Sequence, residues 1–388
     1  MNVIKDTQAL AEFCDRCAKH PFVTVDTEFL RERTYWPQLC LVQVAYPGEG
    51  DETAAIIDPI GTDLDLEPLF ALMRDTSVIK VFHAARQDLE IFWKLGDLIP
   101  EPLFDTQVAA MVCGYGDQVG YETLVRKICK QGLDKSSRFT DWAARPLSEK
   151  QLNYAVADVT HLRRIYLHLD QELRDSGRGP WVGEEMAVLT DPATYRNEPT
   201  EAWKRLKTRS SSPRFLAVAS ALAEWRESRA QERDVPRSRL MKDDALLEIA
   251  SARPTSMDEL QRSRFLQRGA RKGDVAREIL AAVARGLETP EDETPEREAP
   301  KASRKGSEAL IDLLKVLLKS RAEDLGVAPK LLASSEDLNL IAAEDEPDVP
   351  ALSGWRRAAF GNLALQLKRG EIALSANGTD IEIVEFDD

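Results

Sequence analysis

The segment Phe22-Val-Thr-Val-Asp26-Thr-Glu28-Phe-Leu30 places two carboxylates inside an otherwise apolar run. Its β-branched and aromatic residues predict a strand, on which residues two apart point to the same face. Asp26 and Glu28 would then lie side by side. Burying both carboxylates is costly unless a cation compensates them, and Mg²⁺ or Mn²⁺ suits hard oxygen ligands. The simpler alternative is an edge strand whose polar face is exposed to water.

The sequence around this segment alternates strand-like and helical runs. The predicted strands cover residues 22–29, 39–46, 54–58 and 78–82, and the predicted helices cover residues 9–19, 66–74, 85–95, 106–113, 121–130 and 149–169. Ser148 and Gln151 have the spacing of a capping box at the start of the last helix. Strands in close succession, followed by strand and helix in turn, predict one α/β domain with a mixed sheet covered by helices.

Further acidic positions stand out in this α/β region. Asp88 lies in the first turns of a predicted helix, where stabilisation of the helix dipole is an alternative reason for an acid. Asp105 precedes the next helix and is most simply its N-cap. Tyr154 and Asp158 are four residues apart, which places them on one face of the last helix. The alternatives for this pair are a packed aromatic ring and an exposed acid.

The chain changes character after about residue 205, where strand patterns end and helical periodicity takes over. The 388 residues carry a net charge of −14, yet residues 201–290 contain 19 Lys and Arg against 13 Asp and Glu. This local excess of +6 indicates a basic region in an acidic chain. The stretch that follows is rich in Pro, Glu and Asp and has no apolar periodicity, which is typical of a solvated linker.

A faint repeat relates the helical regions on either side of this linker. Arg229-Ala-Gln-Glu-Arg-Asp-Val235 aligns without gaps with Arg321-Ala-Glu-Asp-Leu-Gly-Val327 at an offset of 92 residues. Matches that continue at one offset favour duplication over a chance likeness of two amphipathic helices. We therefore predict regions at residues 1–200, 208–288, 289–306 and 307–388. The last region ends in an acidic tail that either forms an extra β segment or frays.

Cysteine usage and hydropathy bear on the location of the protein. Five irregularly spaced cysteines predict no disulfide framework, and a reducing cytoplasm suits them best. The first residues lack a signal-peptide pattern, and no stretch approaches the roughly 18 apolar residues that a membrane span needs. We therefore expect a cytoplasmic protein with no membrane partner.

Together, the acids resemble the motifs of the DEDD exonuclease superfamily. Their order in this chain is Asp26-Thr-Glu28 on a first strand, Asp88 after a later strand, and Tyr154-Ala-Val-Ala-Asp158 on a late helix, as in the tyrosine subclass. Over roughly residues 1–200 the chain resembles the ribonuclease D family, through Arg33-Thr-Tyr-Trp-Pro-Gln38, Phe82-His-Ala84 and Asp141-Trp-Ala-Ala-Arg-Pro-Leu147. The helical regions resemble HRDC domains, through Trp225-Arg-Glu227 and Leu246-Leu-Glu-Ile-Ala250, and the second copy matches less closely.

This resemblance implies an α/β ribonuclease H-like exonuclease domain with a mixed sheet, followed by two all-α HRDC-like helical domains. It also implies two divalent ions, Mg²⁺ or Mn²⁺, about 4 Å apart, which supply a nucleophile and relieve charge on the leaving oxygen. By analogy, Asp26 would bridge both ions, Glu28 and Asp158 would bind the ion that carries the water, and Asp88 would act on the other ion through water. Tyr154 would orient the attacking water, because a hydroxyl with a pKa of about 10 is a poor base.

The implied reaction is hydrolysis of RNA from a single-stranded 3′ end to nucleoside 5′-monophosphates. The expected substrates are tRNA precursors, and the expected acting form is a monomer. Candidate substrate-binding residues are Thr27, Phe29, His83, Lys135 and Arg145. Strand alternation favours packing for Thr27 and Phe29. A hydrogen-bonded supporting role suits His83, and surface solvation is the alternative for Lys135 and Arg145.

The basic helical region has the residues for an RNA clamp that follows the backbone of a structured RNA. The candidate clamp residues are Trp225, Arg226, Arg229, Arg268, Arg271 and Lys272. Pairing of the arginines with nearby Glu and Asp is the structural alternative. A clamp that acts only on structured RNA would leave a protein ending near Arg209 active on short single strands.

Other functions compete with an exoribonuclease. The same chemistry on DNA, as in proofreading, is disfavoured because no polymerase-like region follows. A non-catalytic RNA-binding or scaffold protein is disfavoured because the four acids and the tyrosine are all present. A helicase is excluded because the chain has no G-x-x-x-x-G-K-[ST] phosphate loop.

Overall fold

Short apolar strands form a six-stranded mixed sheet in the computed structural model of the chain. The structure describes residues 2–133, 140–208, 210, 212–296 and 308–386. Contacts divide the chain into two units. The first unit contains residues 1–28, 39–194 and 302–388, and the second contains residues 29–38 and 195–301. Lys135, a predicted substrate-binding residue, lies outside the described residues.

The strand that carries Asp26 and Glu28 lies inside the sheet. The strands are β1 (Asn2–Ile4), β2 (Phe22–Leu30), β3 (Gln38–Ala45), β4 (Ala54–Ile57), β5 (Ile79–Phe82) and β6 (Leu103–Asp105). Their order is β1-β4-β3-β2-β5-β6. β4 pairs parallel with β1 and antiparallel with β3, and β5 pairs parallel with β2 and β6. The alternative that these acids occupy an edge strand is therefore wrong.

Helices accompany the sheet in the order that the periodicity predicts. They are α1 (Thr7–Cys17), α2 (Glu67–Arg74), α3 (Arg86–Gly96), α4 (Thr106–Val112), α5 (Tyr121–Leu124), α6 (Glu149–Ser176) and α7 (Gly179–Thr190), and a π-helical turn, Val125–Cys129, continues α5. The predicted capping box starts α6. Gln151 N donates to Ser148 Oγ over 3.3 Å, and Ser148 N donates to Gln151 Oε1 over 2.9 Å. α6 extends past residue 169 because Leu173 continues its buried stripe.

The second unit is helical and also contains residues 29–38. Its helices are α8 (Pro213–Glu232), α9 (Arg237–Leu240), α10 (Asp243–Ala252), α11 (Met257–Gln261) and α12 (Gly273–Glu288). Leu222, Leu246 and Ile279 are among the buried residues of its core. Tyr35 N and Trp36 N each donate to Asp234 Oδ1 over 3.0 Å, which fixes residues 29–38 to this unit.

The C-terminal residues repeat part of this helical pattern within the first unit. They form α13 (Glu308–Leu325), α14 (Pro329–Leu332), α15 (Ser335–Ala343), α16 (Gly354–Arg356), a π-helical turn (Arg357–Gly361), α17 (Asn362–Arg369), and an antiparallel hairpin of β7 (Ile372–Asn377) and β8 (Asp380–Glu385). α14 and α15 begin 92 residues after α9 and α10, which is the offset of the sequence repeat. The tail thus forms a β segment.

One hydrophobic core joins the C-terminal residues to the sheet-containing part of the first unit. Val112 of α4, Leu169 of α6, Leu317 of α13 and Phe360 after α16 are all buried in it. None of the helices in the described ranges has the length and apolar character needed to cross a membrane.

Candidate active site

The first unit brings the predicted acids together. One carboxylate oxygen from each of Asp26, Glu28 and Asp158 lies within 4.8 Å of the others. Asp26 and Glu28 come from β2, and Asp158 comes from α6. Asp88, in the first turn of α3, interacts electrostatically with Asp26. Acids that are far apart in the sequence thus form one cluster.

Two hydroxyl groups fix α6 where it carries Asp158. Thr24 Oγ1 donates to Val159 O over 2.8 Å, and the Tyr121 hydroxyl donates to Asp158 O over 2.6 Å. Thr24 is two residues before Asp26, so strand alternation could have placed it on the face that meets α6. No spacing in the sequence relates Tyr121 to Asp158, and its position comes from the fold alone.

Two sets of hydrogen bonds position Asp88, one to its own carboxylate and one to the backbone at the start of α3. The Thr27 hydroxyl donates to Asp88 Oδ1, and Thr27 is only 6% exposed. The Asp105 carboxylate accepts hydrogen bonds from Ala84 N at 3.0 Å and Ala85 N at 2.8 Å, directly before α3. Asp105 also accepts from Gln107 N, so its predicted N-cap role is confirmed and extends to a second helix start.

The four acids are held in an environment that disfavours their charges. Burial raises the pKa of Asp26 to about 7. Burial, followed by repulsion from the other three acids, raises the pKa of Glu28 to about 9. Burial and the charge of Asp26 also raise the pKa values of Asp88 and Asp158 well above their ordinary range. Such a cluster is stable in its charged form only when a cation compensates it.

Tyr154 lies beside Asp158, as their spacing predicts. A hydrogen bond with Tyr154 acts to lower the pKa of the Asp158 carboxyl, opposing the larger effect of burial. The Tyr154 ring centroid is 6.0 Å from that of Trp142, whose side chain is buried. Tyr154 is therefore both a packed aromatic ring and a hydroxyl directed at the acid cluster.

The donor set fits a hard divalent cation. Asp26, Glu28 and Asp158 offer only oxygen atoms, and these atoms converge within 4.8 Å. Mg²⁺ and Mn²⁺ prefer carboxylate oxygen, and their charge offsets the repulsion that raises the pKa values. The arrangement therefore suits a bound divalent cation.

The other predicted substrate-binding residues take different positions. His83 Nδ1 lies 3.0 Å from Thr106 Oγ1, and burial lowers the pKa of the imidazole. Phe29 is half-buried in β2. Arg145 donates from Nε and Nη2 to the buried Asp58 carboxylate, and from Nη1 to Trp142 O over 2.7 Å. Arg145 was expected either to contact phosphate or to be solvated at the surface. Its guanidinium instead donates hydrogen bonds to protein groups.

Three of the six candidate clamp residues in the second unit are engaged with protein groups. Trp225 Nε1 donates to Glu278 Oε2 over 2.9 Å, and Arg229 Nη2 donates to Glu278 Oε1 over 2.8 Å. Arg226 is 5% exposed and donates to Met241 O and Asp243. Local pairing, the structural alternative, describes these three residues. Lys272 is exposed, whereas the side chains of Arg268 and Arg271 lie outside the described part.

Comparison with known domain families matches the α/β region and the helical region of the second unit to two different families. Residues 1–174 match the 3′-5′ exonuclease family, and residues 215–283 match the HRDC domain family. The first match contains Asp26, Glu28, Asp88, Tyr154 and Asp158. The second contains α9 to α11 and most of α8 and α12.

Full-length relatives and a solved structure agree with these matches. The chain is 57% identical to ribonuclease D of Jannaschia sp. (strain CCS1), over 99% of each protein, and 50% identical to ribonuclease D of Granulibacter bethesdensis, over 98% and 96%. The crystal structure of Escherichia coli RNase D, an exoribonuclease involved in structured RNA processing, superimposes with a TM-score of 0.82 at 32% identity, covering 95% of this chain and 99% of that one. The chain therefore belongs to the ribonuclease D family of 3′-5′ exoribonucleases.

Proposed function

We propose that Asp26, Glu28, Asp88 and Asp158 form the catalytic centre of this exoribonuclease and hold two divalent ions, Mg²⁺ or Mn²⁺. The convergence of the Asp26, Glu28 and Asp158 oxygen atoms within 4.8 Å is the observation that carries the proposal. Asp26 would help to hold both ions, because its charge acts on Glu28, Asp88 and Asp158 alike.

The ions, when bound, would lower the pKa of a water molecule and neutralise charge on the leaving oxygen. The residues of the chain hold the reacting groups in place. Thr27 restrains the Asp88 carboxylate, and Thr24 and Tyr121 fix the backbone beside Asp158. Tyr154, which bonds to Asp158, orients the attacking water by its hydroxyl.

The proposed substrate is RNA with a single-stranded 3′ end, and the proposed products are nucleoside 5′-monophosphates. The description of the E. coli relative as a processing enzyme for structured RNA supports stable RNA, such as tRNA precursors. We take the acting form to be a monomer. The five cysteines are all free thiols, which supports a reducing compartment such as the cytoplasm.

Substitution of single acids tests this assignment. Asp26→Asn, Glu28→Gln and Asp158→Asn should each lower the rate of RNA hydrolysis roughly 1,000-fold, because each removes several kcal/mol of charge stabilisation. Asp175→Asn, an exposed acid at the far end of α6, serves as the control and should keep the wild-type rate. Wild-type rates in the three cluster variants would remove the cluster from the reaction. Calorimetric titration with Mg²⁺ should show loss of binding in the same variants.

A further inference from the structure

Phe265 projects from the loop between α11 and α12 of the second unit. Its side chain is 62% exposed, and no other large apolar residue in the described part of this unit is classed as exposed. Leu266, the next residue, is 2% exposed and belongs to the helical core. The loop thus buries one apolar side chain and leaves the adjacent ring in solvent.

Hydrogen bonds to the Glu248 side chain hold the loop in this conformation. The Glu248 carboxylate of α10 accepts hydrogen bonds from Arg264 N at 2.8 Å and Phe265 N at 3.0 Å, and it also accepts from the Ser263 hydroxyl. Leu266 N then donates to Ser263 Oγ over 3.3 Å. Because these bonds fix the backbone on both sides of Phe265, the ring is presented before any ligand arrives.

The surroundings of Phe265 combine positive charge with an open groove. Arg262, Arg264 and Lys272 are exposed in the same loop region. A groove of about 550 Å³ lies against the ring and is lined by Leu247, Ser251 and Ala252 together with the acids Asp244 and Glu248. Its walls provide both apolar contact and side-chain oxygens that can accept hydrogen bonds from the edge of a base.

We propose that Phe265 is a stacking platform for an unpaired base of RNA, with Arg262, Arg264 and Lys272 next to the adjoining phosphates. An exposed aromatic ring among cations is the arrangement by which proteins bind single-stranded nucleic acid, because every base has a π-face. This inference rests on the proposed function and adds a substrate contact outside the acid cluster.

Charge and area favour RNA over a protein partner at this surface. Contiguous exposed apolar patches larger than a few hundred Å² are typical of protein–protein contact sites. Phe265 is instead a single ring flanked in sequence by Arg262, Arg264 and Arg268, within a stretch whose net charge is positive. A polyanion with planar apolar groups matches this composition better than a protein surface does.

RNA binding by the full chain, measured in chelator so that the RNA remains intact, tests the proposal. Phe265→Ala should weaken binding of a single-stranded RNA by about 5- to 100-fold, the range expected for loss of one stacked base. Phe265→Trp should bind at least as tightly as the wild type. Phe386→Ala is the matched control, because Phe386 is 59% exposed but lies beside Glu385 and the acidic tail.

An RNA strand with abasic sugars isolates the contribution of stacking. Wild type and Phe265→Ala should bind this strand equally, and the salt dependence of binding should be the same for both, because Phe265 contacts no phosphate. Arg264→Gln should instead reduce the salt dependence. Equal binding of the normal RNA by wild type and Phe265→Ala would overturn the proposal and leave a protein partner as the use of this surface. That result would not affect the catalytic assignment, which is tested separately by the loss of metal-dependent hydrolysis in the acid-cluster variants.

Discussion

At the scale of single residues, the charges of the acid cluster destabilise the fold when no cation compensates them. Asp26 and Glu28 lie half-buried beside each other, and their pKa values rise to about 7 and about 9. The folded state therefore holds protons that the unfolded state releases near pH 4. The corresponding stability is present below pH 4 and is lost as the pH rises through 7 and 9.

This linkage predicts that Asp26→Asn and Glu28→Gln stabilise the metal-free protein at pH 8. Each should raise the free energy of unfolding by about 1 kcal/mol or more, since one pKa unit corresponds to about 1.36 kcal/mol. Urea unfolding in chelator measures the effect, with Asp175→Asn as the control. Addition of Mg²⁺ should reverse the order, because only the wild type gains binding energy. Equal stability of all variants in chelator would contradict the electrostatic account.

Thr27 illustrates a positioning role on the opposite face of β2. Thr27→Val removes the hydroxyl that donates to Asp88 and keeps the shape of the side chain. We expect kcat to fall about 10- to 100-fold, as for other groups that orient a metal ligand, with little change in the KM for RNA. Thr62→Val is the control, because the Thr62 hydroxyl donates to Pro59 O, a backbone group of the turn after β4. Equal kcat values for both variants would show that Asp88 needs no such restraint.

At the scale of elements, most of the α/β region follows from hydrophobic periodicity. The four predicted strands and six predicted helices begin within two residues of those observed. β1 and β6 were missed because each has three residues, too few for an alternating pattern. The contact between Tyr121 and Asp158 was also missed, because it depends on how α5 packs rather than on any local spacing.

Close packing of α8 and α12 gives a prediction at the same scale. A Cβ added at Gly286 of α12 would lie 2.5 Å from Val218 Cα of α8, whereas one added at Gly183 of α7 has no neighbour within 4 Å. Gly286→Ala should therefore destabilise the protein by about 1–3 kcal/mol. Gly183→Ala should stabilise it by about 0.5–1 kcal/mol through helix propensity. Thermal unfolding of both variants measures the contrast, and a stabilising Gly286→Ala would mean that the helices are not in close contact.

At the scale of the whole molecule, the sequence suggests separable regions, and the contacts describe a different division. Residues 308–386 complete the core of the first unit, where Trp181 of α7 stacks on Trp355 with ring centroids 4.3 Å apart. Residues 29–38 fold with the helical second unit, where the Tyr35 hydroxyl bonds to Glu227 and Arg237. Sequence patterns could not predict that residues 308–386 join the first unit or that residues 29–38 join the second, because both depend on contacts between distant segments.

This division changes the expectation for a protein that ends near Arg209. Such a protein would lack the helices that bind residues 29–38 and the C-terminal part of the first core. We expect it to unfold or aggregate and to cleave short single strands at least about 100-fold more slowly than the intact chain. Circular dichroism and a rate assay on a short RNA provide the measurement. Full activity on short strands would show that the exonuclease region folds by itself.

The most direct test of the central claim is a time course on one single-stranded RNA, labelled at either end, with Mg²⁺, with chelator and with Asp26→Asn. The account predicts immediate release of labelled mononucleotide from the 3′ label and stepwise shortening of the 5′-labelled strand, both lost in chelator and in the variant. Mononucleotide release from the 5′ end, internal cuts, or release that continues in chelator or in Asp26→Asn would contradict a metal-dependent 3′-5′ exoribonuclease built on this acid cluster.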